Sequence, residues 1–291
     1  MTTKEAHYIE RSALVAGTRM HYVESSAVSP SANREILVLI HGSLCDYRYW
    51  RWQIADLSPD FHIAAPSLPG CWPEAMTAEA DPSVYSMGRH IDAIAELCEQ
   101  LSAGGRVHLL GHSRGAQVAL EVAMTYPERI SKLILADPGF PFSDEAATVP
   151  VHRQIAERLG HMDLDDVLQE FVDAVNGPGS WKRTVRWFKD MTRANAWTLI
   201  PQVKDIERSI DPHRVKTDLQ SPVLLIGGEQ SPPRYANRIE RLQSLLPQAV
   251  RVTVPRAAHG MNLANAPFFN TVLRQYLSPY FDGSLPTTPS T

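Results

Sequence analysis

Apolar and polar positions change rhythm several times along this chain, and the changes mark its elements. Residues 5–12 and 18–24, either side of Ala16-Gly17, carry the pattern of a β-hairpin. A polar loop from Ser25 to Arg34, with Pro30, separates them from Glu35-Ile-Leu-Val-Leu-Ile40. That run is apolar without alternation, which suits a strand buried on both faces of a parallel sheet. Tyr47 to Leu57 is helical and aromatic-rich and stops at Ser58-Pro59; Phe61-His-Ile-Ala-Ala65 is a second short strand. Between Val84 and Leu101, Ile91, Ile94, Ala95, Cys98 and Leu101 keep helical spacing. Val107 to Leu110 is again a buried strand, Ala116 onward a helix, and Ser131-Lys-Leu-Ile-Leu-Ala136 a further strand after Tyr126-Pro127-Glu128.

Strand and helix alternating in this way predict an α/β fold, a doubly wound and mostly parallel sheet. The alternation breaks after Asp137-Pro138-Gly139. The following residues are helical in pattern until Ser221-Pro-Val-Leu-Leu-Ile-Gly227 resumes the sheet. Arg251-Val-Thr-Val254 is the last strand and Pro267 to Tyr276 the closing helix. The expected organisation is therefore a core over 1–139 and 216–281, a helical cap inserted over 140–215, and a disordered polar, proline-rich tail over 282–291.

Between the strand at 107–110 and the helix at 116 lies Gly111-His112-Ser113-Arg114-Gly115, a Gly-x-Ser-x-Gly corner. A turn this sharp strains the serine backbone, and glycines flank it because side chains there would collide. The serine oxygen then stands above the carboxyl end of the sheet, over a helix amino terminus that stabilises developing negative charge. Composition narrows the alternatives. At 291 residues with 44% hydrophobic and 21% charged positions, the chain can bury a full core as an ordinary soluble protein. A net charge of −4 gives no basis for nucleic acid or an anionic membrane as partner. The amino terminus lacks an apolar signal core and no run is long enough to span a bilayer. Cys45, Cys71 and Cys98 form neither an even framework nor a Cys-x-x-Cys pair, which fits reduced thiols in a cytoplasm. No metal-ligand spacing, phosphate loop or cofactor fingerprint is present, so neither metal nor cofactor is expected. A homodimer is compatible with the sequence.

The chain resembles an α/β-hydrolase with a helical cap, from residue 8 to 280. The likeness is carried by His41-Gly42-Ser43, Gly111-His-Ser-Arg-Gly115, and Pro255-Arg-Ala-Ala-His259-Gly260 after the last strand. Pro66-Ser-Leu-Pro-Gly70 and Tyr126-Pro-Glu-Arg129 are also similar. The resemblance implies Ser113 as nucleophile and His259 as its base. It also implies an oxyanion hole from the backbone N–H groups of Ser43 and Arg114. Of the other histidines, His108 lies in a strand, His152 and His161 in the cap, His41 orders a loop, and His112 points away from Ser113.

The acid departs from the family pattern. After the seventh strand the family commonly has Gly-x-x-Asp, and this chain reads Gly228-Glu229-Gln230-Ser231-Pro232-Pro233. The candidates are Glu229, beside a loop stiffened by two prolines, and Asp137 at the end of the sixth strand. Some lactonases and dehalogenases of the family place the acid there, and Asp137 is preferred. In the cap, Trp181, Val185, Phe188 and Met191 read as one apolar helix face, and Lys182, Arg186, Lys189 and Arg193 as a basic one. Trp187, Phe140 and Met261 are the candidate substrate contacts, in an apolar pocket for a hydrophobic or aromatic small molecule. Three activities compete: a serine hydrolase of carboxylic esters or lactones, a carbon–carbon bond hydrolase on the same triad, and a non-catalytic ligand-binding receptor on this scaffold.

Overall fold

The computed structural model describes residues 8–25, 34–77, 84–145, 151–206 and 208–286, with the side chains of 151 and 204–206 excepted. The start of the predicted hairpin at 5–7, most of the polar loop (26–33) and the end of the tail (287–291) lie outside the described residues. The hairpin is β1 (Tyr8–Val15) and β2 (Thr18–Ser25), paired from Tyr8↔Ser25 to Val15↔Thr18. Ala16 and Gly17 make the turn between them with positive φ, 47° and 69°. The core continues through β3 (Ile36–Ile40), α1 (Arg51–Leu57), β4 (His62–Pro66), α2 (Met87–Ser102), β5 (Val107–His112), α3 (Arg114–Thr125) and β6 (Ile130–Ala136).

Among the described residues six α-helices then intervene before the sheet resumes: α4 (Val151–Ala156), α5 (Leu164–Asn176), α6 (Ser180–Arg183), α7 (Arg186–Ala194), α8 (Leu199–Ile206) and α9 (Pro212–Thr217). The chain closes with β7 (Val223–Gly228), α10 (Pro233–Leu245), β8 (Val250–Val254), α11 (Met261–Ala264) and α12 (Ala266–Leu277). The eight strands form one sheet in the order β1-β2-β4-β3-β5-β6-β7-β8, parallel from β4 to β8. The chain is thus an α/β protein with a doubly wound, mostly parallel sheet, and β5 lies at its centre.

Unbroken apolar runs are explained by burial on two sides. In β3, Val38 and Ile40 join the core under α2 and α3, while Leu37 and Leu39 join the core under α1 and α12. In β6, Leu133 and Leu135 face the first of these and Ile134 and Ala136 the second. Alternation persists in space, but both faces are dry, so it vanishes from the sequence. Helix starts follow local chemistry: Ser86 accepts from the Arg89 N–H to open α2, and Asp163 accepts from two N–H groups to open α5.

Two local expectations change. The Pro232-Pro233 pair does more than stiffen a loop: it opens α10, with proline in the first turn, where its missing N–H costs nothing. The stretch from Trp181 to Trp197 is not one helix. It breaks at Thr184 and Val185 into α6 and α7, so Val185 is 55% exposed while Trp181 and Met191 are buried. The insertion has its own apolar cluster, built on Leu168, Phe171, Trp181 and Leu199, and Leu44 of the core is part of it. At its base Phe142 and Ile210 form a parallel bridge, so the outgoing and returning segments run side by side.

Candidate active site

Ser113 follows β5 directly and caps α3, with φ 55° and ψ −118°. This is a sparsely populated conformation, costing on the order of 1–3 kcal/mol. The two flanking glycines permit it. A Cβ on Gly111 would come 2.2 Å from the Gly115 carbonyl oxygen, and one on Gly115 would come 2.4 Å from the carbonyl oxygens of Ile40 and His41. The first turn of α3 is thus pressed against the end of β3, which fixes the height of Ser113 above the sheet. On the adjoining loop, the Leu68 N–H donates to His41 Nε2 at 3.0 Å and His41 Nδ1–H donates to the Gly42 carbonyl at 2.8 Å. His41 holds the Gly42-Ser43 turn in place.

Asp137, the first residue past β6, is fully buried and still donates its N–H to Ile226 of β7. Its φ is 39°, so the aspartate itself makes the left-handed turn that aims its carboxylate, a conformation tolerated best by Asn and Asp among side-chain-bearing residues. His259 Nδ1–H donates to Asp137 Oδ2 at 3.1 Å. The carboxylate also accepts from the Ser231 hydroxyl at 2.5 Å and the Gly228 N–H at 3.3 Å. Ser231, in the slot where an aspartate is common, therefore serves a carboxylate that arrives from another strand. Glu229 is occupied elsewhere, accepting from the Arg256 N–H at 2.6 Å.

The imidazole of His259 is packed against two rings. Tyr235 of α10 stacks on it at 4.1 Å between centroids and 17° between planes; His112 lies tilted against it at 4.5 Å and 42°. His112 also makes a polar contact here. Its Nε2–H donates to the His259 carbonyl at 2.7 Å, which locks the loop that carries His259. Burial lowers the His259 pKa to about 3, with the Arg234 guanidinium adding to the effect. Burial also raises Asp137 to about 6, opposed first by the Ser231 hydroxyl bond. In neutral solution the pair is then a carboxylate beside a neutral imidazole, with the proton on Nδ1 and a lone pair on Nε2.

Above these groups opens a solvent-connected cavity lined by Ser43, Ser113, His112 and His259. Leu44, Cys45 and Tyr49 from the core and Phe171, Val172, Val175 and Phe188 from the insertion give it apolar walls. Asn176 and Thr192 add polar lining, and among the described residues no charged side chain lines it. The expected substrate contacts are not among the lining residues. Phe140 is buried edge-on against Phe142 in the core at the base of the insertion. Met261 is buried under α12, and Trp187 sits behind Phe188, under the Arg51 guanidinium. Among the described residues no cluster of three or more His, Cys, Asp or Glu could hold a metal, and no helix is long and apolar enough to cross a membrane.

The sequence model of the Alpha/beta hydrolase family matches residues 37–271, which include every group just described. The chain belongs to that family. Among its relatives is the pimeloyl-[acyl-carrier protein] methyl ester esterase of Nitrosomonas europaea, 27% identical over 80% of this chain and 91% of the other. A second is the (E)-2-((N-methylformamido)methylene)succinate hydrolase of Acinetobacter baylyi, 22% identical over 88% and 93%. Among solved structures, the enol-lactonase of Burkholderia xenovorans superposes with a TM-score of 0.75 at 17% identity, covering 92% of this chain and 99% of that one. That likeness is one of fold. Hydrolases of several bond types thus share the architecture, and the chemistry must be argued from the site.

Proposed function

We propose that the protein is a serine hydrolase that cleaves a carboxylic ester or lactone of an uncharged, hydrophobic or aromatic small molecule through an acyl-enzyme. The observation that carries this reading is the His259–Asp137 pair at 3.1 Å, with the His259 imidazole lining the same cavity as a strained Ser113. Ser113 Oγ attacks the acyl carbon as its proton passes to His259 Nε2. The carbon–oxygen bond then breaks and the leaving oxygen takes that proton. Water attacks the acyl-enzyme, gives a proton to Nε2 and releases the acid, and Ser113 Oγ recovers the proton. Asp137 keeps the Nδ1–H tautomer and stabilises the imidazolium formed at each transfer. The N–H groups of Ser43 and Arg114 receive the oxyanion, the second at the positive end of α3.

Substrate class follows from the walls. An anionic acyl group would enter a cavity of largely apolar walls in which no described lining residue is a cation, and an unpaired buried carboxylate is strongly disfavoured. A neutral acyl or aryl group of moderate size loses nothing polar there. The test is labelling by a serine-reactive phosphonate combined with a screen of matched esters. Aryl butyrate and benzoate should be turned over and the isosteric hemisuccinate ester poorly. Labelling should vanish in Ser113→Ala. Labelling that persists in that variant, or a burst without turnover on every ester and lactone, refutes the hydrolase reading, the latter in favour of a receptor.

A further inference from the structure

Helix α8 of the insertion reaches the turn beside Ser113. Gln202, buried on α8, donates from Nε2 to Ser43 Oγ at 2.7 Å, and its Oε1 accepts from the Tyr85 hydroxyl at 3.2 Å. A serine hydroxyl has one proton and two lone pairs. With Gln202 donating to the oxygen, the proton of Ser43 is left to point elsewhere, and among the described residues it has no acceptor. Ser43 lines the same cavity as Ser113. The next residue, Leu44, is held at φ 61° with its side chain in the apolar cluster of the insertion, so the turn cannot carry Ser43 away.

We propose that the Ser43 hydroxyl is a third donor to the oxyanion and that Gln202 is the positioning residue that turns its proton towards the reacting carbonyl. The proposal rests on the acyl-enzyme reading above. The bonds run in one sense, from the Tyr85 O–H to Gln202, from Gln202 to Ser43, and from Ser43 into the cavity. Each donation polarises the next, so the last donor is stronger than an isolated hydroxyl. The insertion thereby contributes to catalysis through the core residue that it orients, as well as through its walls.

A double-mutant cycle tests this. Ser43→Ala should lower kcat by about 10- to 100-fold with little change in KM, below the loss from a main-chain donor. Gln202→Glu keeps size but presents only acceptors, so it draws the Ser43 proton back and should match that loss. Combined with Ser43→Ala, it should add no more than about twofold. Gln202→Met, neutral and of similar shape, serves if the buried carboxylate unfolds the chain. Its loss, about tenfold, should likewise disappear in the Ser43→Ala background. Losses that multiply, a wild-type kcat in Ser43→Ala or Gln202→Glu, or a change confined to KM would overturn the relay. Absence of both turnover and phosphonate labelling in the wild-type chain would instead remove the hydrolase reading, and the relay with it.

Discussion

Replacing Asp137 by asparagine should separate activity from stability. In the protein, Asp137 Oδ1 faces the Gly228 N–H and Oδ2 faces both His259 Nδ1 and the Ser231 hydroxyl. Asparagine has one acceptor and one donor at these two places. Turning its NH2 towards Gly228 would oppose two donors in a buried site, so its oxygen stays there and its NH2 meets His259. The imidazole then moves its proton to Nε2, the atom that accepts from Ser113 in the proposed mechanism. The serine-protease precedent for this tautomer is a loss of about 10⁴ in kcat, or about 5.5 kcal/mol of barrier.

Stability should move the other way. The Asp137 pKa stands at about 6, above the ordinary 3.8, because burial disfavours its charged form. The folded chain therefore holds this proton more tightly than the unfolded one, and the contribution of Asp137 to stability falls as pH rises from about 4 to about 6. That window amounts to about 3 kcal/mol at most. Asparagine does not titrate, so Asp137→Asn should be at least as stable as wild type at pH 8, with the difference closing towards pH 4. Single-turnover kinetics and urea unfolding at both pH values measure the two effects. Activity within about tenfold of wild type, or a larger loss in Glu229→Gln, would refute the assignment of the acid. A variant less stable than wild type at pH 8 would refute the charge-burial argument.

The pH–rate profile should also be displaced. Burial and Arg234 disfavour the His259 imidazolium, so the acid limb of kcat/KM should lie below the ordinary value of about 6.5, and Arg234→Met should move it upward. A limb at or above that value in the wild type would contradict this. Gly115→Ala forces a Cβ to 2.4 Å from two carbonyl oxygens at the end of β3, and should cost on the order of 3 kcal/mol or more in urea unfolding. A cost under about 1 kcal/mol would mean that α3 is free to shift. Phe188→Ala opens the cavity wall, and kcat/KM for acyl chains too long for wild type should rise about fourfold per added carbon, from about 0.8 kcal/mol per buried methylene. An unchanged chain-length profile would place the acyl group elsewhere.

What the sequence discloses here depends on whether a feature is local. The Ser113 corner is legible because its strain needs glycines at fixed offsets, and the carboxylate of Asp137 because a buried strand ends on it. The hydroxyl of Ser231, the stack of Tyr235 on His259 and the bond from His112 to the His259 carbonyl join residues far apart in the chain. No spacing rule reaches them. The substrate contacts fail for the same reason. Trp187, Phe140 and Met261 have the right chemistry, but packing sends Phe140 and Met261 into cores and leaves Trp187 half-buried against one, and Phe171, Val172 and Phe188 take the cavity wall instead. The Pro232-Pro233 pair shows a different limit, since proline marks a helix start as readily as a loop.

The bridge between Phe142 and Ile210 bears on how such a chain can change over generations. Because the two ends of the insertion leave the scaffold as neighbours, everything between them is a closed excursion. Lengthening it costs little, since doubling a flexible loop adds only about 0.6 kcal/mol of closure entropy. Strands β6 and β7 keep their register whatever hangs from that point. The cavity walls can therefore be rewritten in one block while the groups proposed for catalysis stay still, except where α8 reaches down to Ser43.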